Sequence, residues 1–266
     1  ETVSAGRPNE IYVSSVTGKN VDELKEMIAK AGLQKPAAAP LISDLIKPGD
    51  TVVLVIPIDG SAPKGRIILP QQQVLREVLD SNALAYIAQD TDLAKLLSNM
   101  KEKPALVVTD SQAFGKVSKI VPPDIKLTSF SILLARHKGF LESAVRGVKA
   151  IDTIEDGDTI LISEGCTHHR QCEDIGTYKI PKWLKEYTGK TFNIETTSGL
   201  SFAEDLSRYK MIIHCGGCML NDREMMYRTK CANDCGIPMT NYGTAIAYMH
   251  GILWRSLEVF PDLLEN

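Results

Sequence analysis

The chain has 266 residues, of which 44% are hydrophobic and 24% charged, with a formal net charge of −3 at pH 7. These are the proportions of an ordinary globular chain, which excludes a disordered, collagen-like or coiled-coil one, and the length suits one large domain or two to three smaller ones. The lack of basic excess speaks against a nucleic-acid partner, and no apolar run approaches the roughly 20 residues that cross a bilayer, so no membrane role is expected.

In chain order, residues 10–16 are short and β-branched and predict a strand, Thr17-Gly18-Lys19 a turn, and Val21, Leu24, Met27 and Ile28 one face of a helix that Gly32 ends. The Ala/Pro stretch 34–40 (QKPAAAP) reads as a linker and marks a boundary. Residues 51–58 (TVVLVIPI) predict a strand buried on both faces, and Pro70 opens a helix with Val74, Leu75, Val78 and Leu79 inward. A strand follows over 83–88, then a helix striped by Leu93, Leu96, Leu97 and Met100. Strands over 105–109 and 126–135 and a helix over 140–148 complete this segment.

The remainder repeats the style. Strands are predicted over 159–163, 192–196 and 211–214, with helices over 181–187 and 222–229. A last long helix carries Ile246, Met249, Leu253 and Leu257. Alternating strands and helices of these lengths give an α/β fold, two successive domains with mainly parallel sheets flanked by helices. No internal repeat is legible.

Cysteine usage sets the chemistry. Six cysteines are too few for a disulfide scaffold in a chain of this length, and no secretory leader pattern precedes them. The expected compartment is the reducing cytoplasm, where clustered Cys and His mark metal or catalysis. Cys166-Thr167-His168 leaves the strand TILIS, and His214-Cys215-Gly216-Gly217-Cys218 leaves the strand MII. In a parallel sheet both loops emerge at the carboxyl edge, where open α/β sheets bind ligands. A C-x-x-C loop lets two thiolates grip one metal centre, and glycines let backbone wrap closely around it. On donor chemistry alone, a closed zinc site and a [4Fe–4S] cluster with one exchangeable iron both fit, and a redox dithiol is a third reading. Cys172, Cys231 and Cys235 are read as buried, reduced cysteines.

These residues resemble the HydF family of [FeFe]-hydrogenase maturation scaffolds, which carries C-x-H, a long spacer and H-C-x-x-C. The stretch 164–183 (EGCTHHRQCEDIGTYKIPKW) also looks like the family, and the resemblance runs from about residue 41 to the end. It implies a [4Fe–4S] cluster held by Cys166, Cys215 and Cys218. It further implies a diiron precursor as transient cargo, received from the radical enzymes HydE and HydG and delivered to the apo-hydrogenase HydA. The domains it implies are a dimerisation domain over 36–150, hence a homodimer, and a cluster-binding domain over 151–266.

The family's GTPase domain is represented only by residues 11–24 (IYVSSVTGKNVDEL), which resemble the last strand, base-recognition loop and final helix of a Ras-like GTPase. There is no G-x-x-x-x-G-K-[ST], so no phosphate cradle. The expectation is a remnant over 1–35 with the rest cut away. GTP binding and hydrolysis then belong to the parent protein, and this chain is no enzyme.

The fourth iron ligand stays open among His168, His214 and Glu173, with water as a further occupant. His168 and His214 alternatively donate to cluster sulfur or fill a strand-end core. His169 and Arg170 are candidates to attract anionic ligands of the diiron unit. Lys179 and Lys182 are read as solvated helix charges.

Overall fold

The computed structural model describes residues 10–33, 39–58, 65, 67–165 and 174–264. The chain forms two compact units, Glu1–Ala38 and Ala39–Asn266.

In the first unit, helix α1 (Val21–Leu33) opens with Asp22 and Glu23, acids that suit the positive end of the helix dipole. The helix runs through Gly32 instead of ending there. The strand expected over 10–16 is not formed. Those residues make a hook instead: Gly18 N donates to Ser14 O at 2.9 Å and Asn20 Nδ2 to Tyr12 O at 3.0 Å. A β-branched run becomes a strand only when a neighbour takes its backbone groups, and among the described residues none does.

The second unit holds two four-stranded parallel sheets. The first is built from β1 (Thr51–Val55), β2 (Leu84–Ala88), β3 (Leu106–Thr109) and β4 (Lys126–Ser129), in the order β2-β1-β3-β4. The helices α2 (Leu69–Asp80), α3 (Leu93–Asn99) and α4 (Phe114–Ile120) connect them. Val52 to Val55 are fully buried, as their unbroken apolar run demands of a strand covered on both faces. On α2, Val74 and Val78 point inward but Leu79 is exposed.

After β4 the expected strand over 126–135 breaks in two. Ser129 caps a helix, α5 (Phe130–His137), its hydroxyl accepting from Ile132 N at 3.3 Å. The apolar run FSILLA misled because α5 is buried all round. Phe130, Leu133 and Leu134 join the core of the first sheet, whereas Ile132 and Ala135 join that of the second.

Helix α6 (Leu141–Val148) leads to the second sheet, made of β5 (Thr159–Glu164), β6 (Asn193–Ser198), β7 (Met211–His214) and β8 (Met239–Asn241), in the order β6-β5-β7-β8. A π-helical turn (Ile175–Lys179) precedes α7 (Ile180–Thr188), which carries Pro181 in its first turn. Helix α8 (Asp222–Asp234) joins β7 to β8 and runs past the predicted 222–229. The predicted last helix is two, α9 (Tyr242–Met249) and α10 (Leu253–Leu257), because Gly251 turns the chain at φ 68°. Lys182 is a solvated charge, but Lys179 reaches Gln112 Oε1 at 2.8 Å.

The two sheets thus have the same strand order, although no repeat is visible in the sequence. Contacts also cross between them. Thr128 Oγ1 on β4 donates to Ser256 O on α10 at 2.8 Å, and Lys138, just past α5, donates to Leu220 O in the loop after β7 at 2.5 Å. No helix among the described residues is long and apolar enough to cross a membrane.

Candidate metal centre

In the second sheet the chain passes from β5 outward to β6 and then returns to the other side of β5 as β7. The crevice between the carboxyl ends of β5 and β7 is therefore the topological switch point, where such sheets bind ligands. Register brings the two motif loops together there: Ser163 pairs with His214, and Cys215 N continues the ladder by donating to Ser163 O at 2.8 Å.

Cys215 is the best-defined sulfur. Its Sγ accepts from Gly165 N at 3.0 Å and from Gly217 N at 3.3 Å. Sulfur is a weak acceptor as a thiol, so two backbone donors aimed at it suit a thiolate and a metal-bound sulfur. Gly165 ends the described part of the β5 loop, one residue before Cys166.

The glycines between the two cysteines are not equivalent. Gly217 sits at φ 61°, and a Cβ there would lie 2.6 Å from Met225 Sδ; one on Gly216 would meet only Leu134 Cδ2, at 3.6 Å. Cys218 is half-buried against the core of the first sheet. Beyond it Asn221 caps α8, its side chain accepting from Glu224 N at 2.8 Å. Buried Lys138, just past α5, donates to Leu220 O at 2.5 Å and lies 3.7 Å from Asp222 Oδ1. The loop is thus held from behind by the first sheet's own helix.

His214 is fully buried. Its Nδ1 lies 2.6 Å from Cys215 O, and a carbonyl only accepts, so Nδ1 carries the proton. Nε2 is then the ring's lone-pair nitrogen, and Arg228 Nη1 donates to it at 3.1 Å. Burial drives the imidazole pKa down to about 4, against the help of the Cys215 carbonyl and with further depression from Arg228 and Lys138. The ring is neutral, and its one metal-binding lone pair is already engaged.

Across the crevice, buried Glu164 accepts from Tyr242 Oη at 3.3 Å. Burial first, then the charges of Glu164 and Cys215, push the Tyr242 hydroxyl far above its ordinary range. It stays a neutral donor.

The candidates Cys166, His168, His169, Arg170 and Glu173, together with Cys172, lie outside the described residues. Cys215, Cys218 and His214 are brought to one loop. Cys231 and Cys235 ride toward the far end of α8, the former against the second sheet's core and the latter exposed. Among the described residues no group of three His, Cys, Asp or Glu side chains is poised around one metal ion.

Sequence reading missed Arg228, Lys138 and the Glu164–Tyr242 pair. The stripe Met225, Arg228, Ala232 places Arg228 among the inward positions of α8, a signal hidden by the helix's many charges.

The fold defines an α/β protein whose second sheet carries two cysteines in the loop that leaves its switch point. Residues 41–139 match the family model for the hydrogen maturase F dimerization domain, and residues 142–259 that for the hydrogen maturase F tetramerization domain. The chain belongs to the HydF family, and its place is in hydrogenase maturation. No curated protein matches it.

Proposed function

We propose that this chain is a scaffold that binds a [4Fe–4S] cluster through Cys166, Cys215 and Cys218, keeps one iron exchangeable, and carries a diiron precursor to the apo-hydrogenase HydA. HydE and HydG are the expected sources of that cargo. The observation that carries this reading is the Cys215 sulfur. It accepts two backbone N–H groups at the switch point, one of them from the residue next to Cys166. When bound, the cluster would supply a labile iron to which a diiron unit can bridge.

The engaged nitrogens of His214 move the open coordination position away from it, toward His168, Glu173 or water. His169 and Arg170 remain the residues suited to anionic ligands of the cargo. We read residues 11–24 as resembling the end of a GTPase domain.

The test is anaerobic reconstitution with iron and sulfide, then electron paramagnetic resonance of the reduced protein. A brown protein with a [4Fe–4S] signal that changes when imidazole or cyanide is added is expected. A colourless protein that retains zinc refutes the reading, and so does a signal indifferent to added ligand.

Oligomerisation follows from the family. For the dimer, we read the contact as the outer edge of the first sheet. There β2 is an edge strand, and Leu84 and Ile87 are both more than half exposed, beside exposed Tyr86 and Leu79. An unpaired edge with apolar side chains favours pairing with another chain.

A further inference from the structure

Arg228 is the largest fully buried side chain among the described residues. A buried guanidinium is costly unless its N–H groups are met. Here Nε donates to Glu224 Oε1 at 2.8 Å, Nη2 to Gly199 O at 2.9 Å, and Nη1 to His214 Nε2 at 3.1 Å and Ser163 Oγ at 3.4 Å. The Phe202 ring lies 5.1 Å from the guanidinium carbon. The fork thus ties α8, the end of β6 and the ends of β5 and β7 into one point behind the Cys215 loop.

We propose that Arg228 is a positioning residue for the metal centre: it fixes His214 as the Nδ1–H tautomer, and His214 in turn fixes the peptide that carries Cys215. The inference rests on the reading of Cys215 as a cluster ligand. Its logic is one of hydrogen-bond polarity. Arg228 only donates, so it requires a lone pair at Nε2. That requirement leaves the ring proton at Nδ1, facing the Cys215 carbonyl at 2.6 Å. Without Arg228 nothing but the Cys215 carbonyl opposes a shift of the proton to Nε2. Nδ1 and the carbonyl would then be two acceptors in contact, and the loop would have to move.

The same guanidinium places a positive charge one imidazole away from the backbone carbonyl of Cys215. Charge and hydrogen bonds around the sulfurs set the potential of an iron–sulfur cluster. Removing Arg228 takes away a charge that favours the reduced state and leaves the Glu224 carboxylate uncompensated, so both changes lower the potential.

Four forms of the chain decide it: wild type, R228K, R228Q, and R223Q as an exposed-charge control on the same helix. Each is reconstituted anaerobically, checked for folding by circular dichroism, and titrated by redox potentiometry with paramagnetic resonance detection. R228Q should shift the reduction equilibrium about tenfold toward the oxidised form, which is about 59 mV for one electron, and change the g-values. R228K should lie between R228Q and wild type, and R223Q should match wild type. Wild-type potential and g-values in folded, iron-loaded R228Q overturn the proposal.

A second measurement needs no substitution. With 15N-labelled histidine, nuclear magnetic resonance of the metal-free wild type should show His214 as the Nδ1–H tautomer; an Nε2–H ring overturns the clamp even if R228Q does not fold. A wild type that takes up no iron sinks the cluster reading instead, and the tautomer still decides the clamp.

Discussion

Replacing Gly217 by Ala isolates what the loop backbone demands. At φ 61° an alanine occupies the left-handed region, which costs about 1–2 kcal/mol for a residue with a Cβ. The added carbon would lie 2.6 Å from Met225 Sδ, and Met225 is fully buried, so the sulfur can yield only by disturbing the packing of α8. Overpacking of this kind adds about 1–3 kcal/mol. A total of about 2–5 kcal/mol in a unit of this size lowers the melting temperature by about 4–20 °C. Gly216→Ala is the built-in control. Gly216 has an ordinary φ, and its new carbon would touch only Leu134 at 3.6 Å, ordinary van der Waals contact, so G216A should melt within about 1–2 °C of wild type. Differential scanning calorimetry of the metal-free proteins under reductant measures both. G217A should also retain less iron, because Gly217 N is one of the two donors to Cys215 Sγ. Equal melting temperatures for G216A and G217A would refute the argument from backbone conformation.

Cys166→Ala, Cys215→Ala and Cys218→Ala should each lose most of their iron while keeping a wild-type circular dichroism spectrum, and Cys172→Ala should keep its iron; colorimetric iron assay decides. Lysine at Leu84 and Ile87 together should convert dimer to monomer in light scattering, since two charges on an edge strand oppose pairing; an unchanged mass places the contact elsewhere. Glu77 offers a pH prediction. Burial works against its charge, but the N–H groups of Ile42, Ser43 and Leu41 outweigh this and hold its carboxyl below the usual range. A depressed carboxyl stabilises the fold above its unfolded pKa of about 4.3 and stops doing so as the pH falls through its folded value. Glu77→Ala should therefore cost about 1–2 kcal/mol at pH 7, the lower end if solvent screens the half-buried carboxylate, and progressively less as the pH falls below the unfolded pKa and through the folded one, as read from urea midpoints.

The sequence makes the two-sheet architecture legible because its main strands, such as 51–55 and 211–214, are unbroken apolar runs bounded by turns. It is less informative where one apolar run serves two elements. Residues 126–135 read as a single strand, yet the Ser129 cap divides them into β4 and a helix buried on all sides. β8 has only three residues and leaves no periodic trace. The cysteine loops stand out through spacing and strand-end position alone. The clamp behind them does not, because Arg228 in DREMMYRTKCAND looks like one more solvated helix charge until tertiary contacts show its burial.

The same strand order occurs twice, but only the second switch point carries cysteines. The Cys215 loop is backed by α5 and Lys138 from the first sheet and by the Arg228–His214 pair from its own, so its carbonyls and sulfur are oriented before any metal arrives. Preorganisation of this kind lowers the cost of binding. It also divides the labour within the motif. In the H-C-x-x-C half the histidine is engaged on both ring nitrogens, so on the proposed cluster reading exchange at the open iron is expected from the C-x-H half. On the proposed scaffold reading that asymmetry is what holding a cluster and releasing cargo require: one loop fixed by buried hydrogen bonds, and the C-x-H loop expected to supply the replaceable ligand.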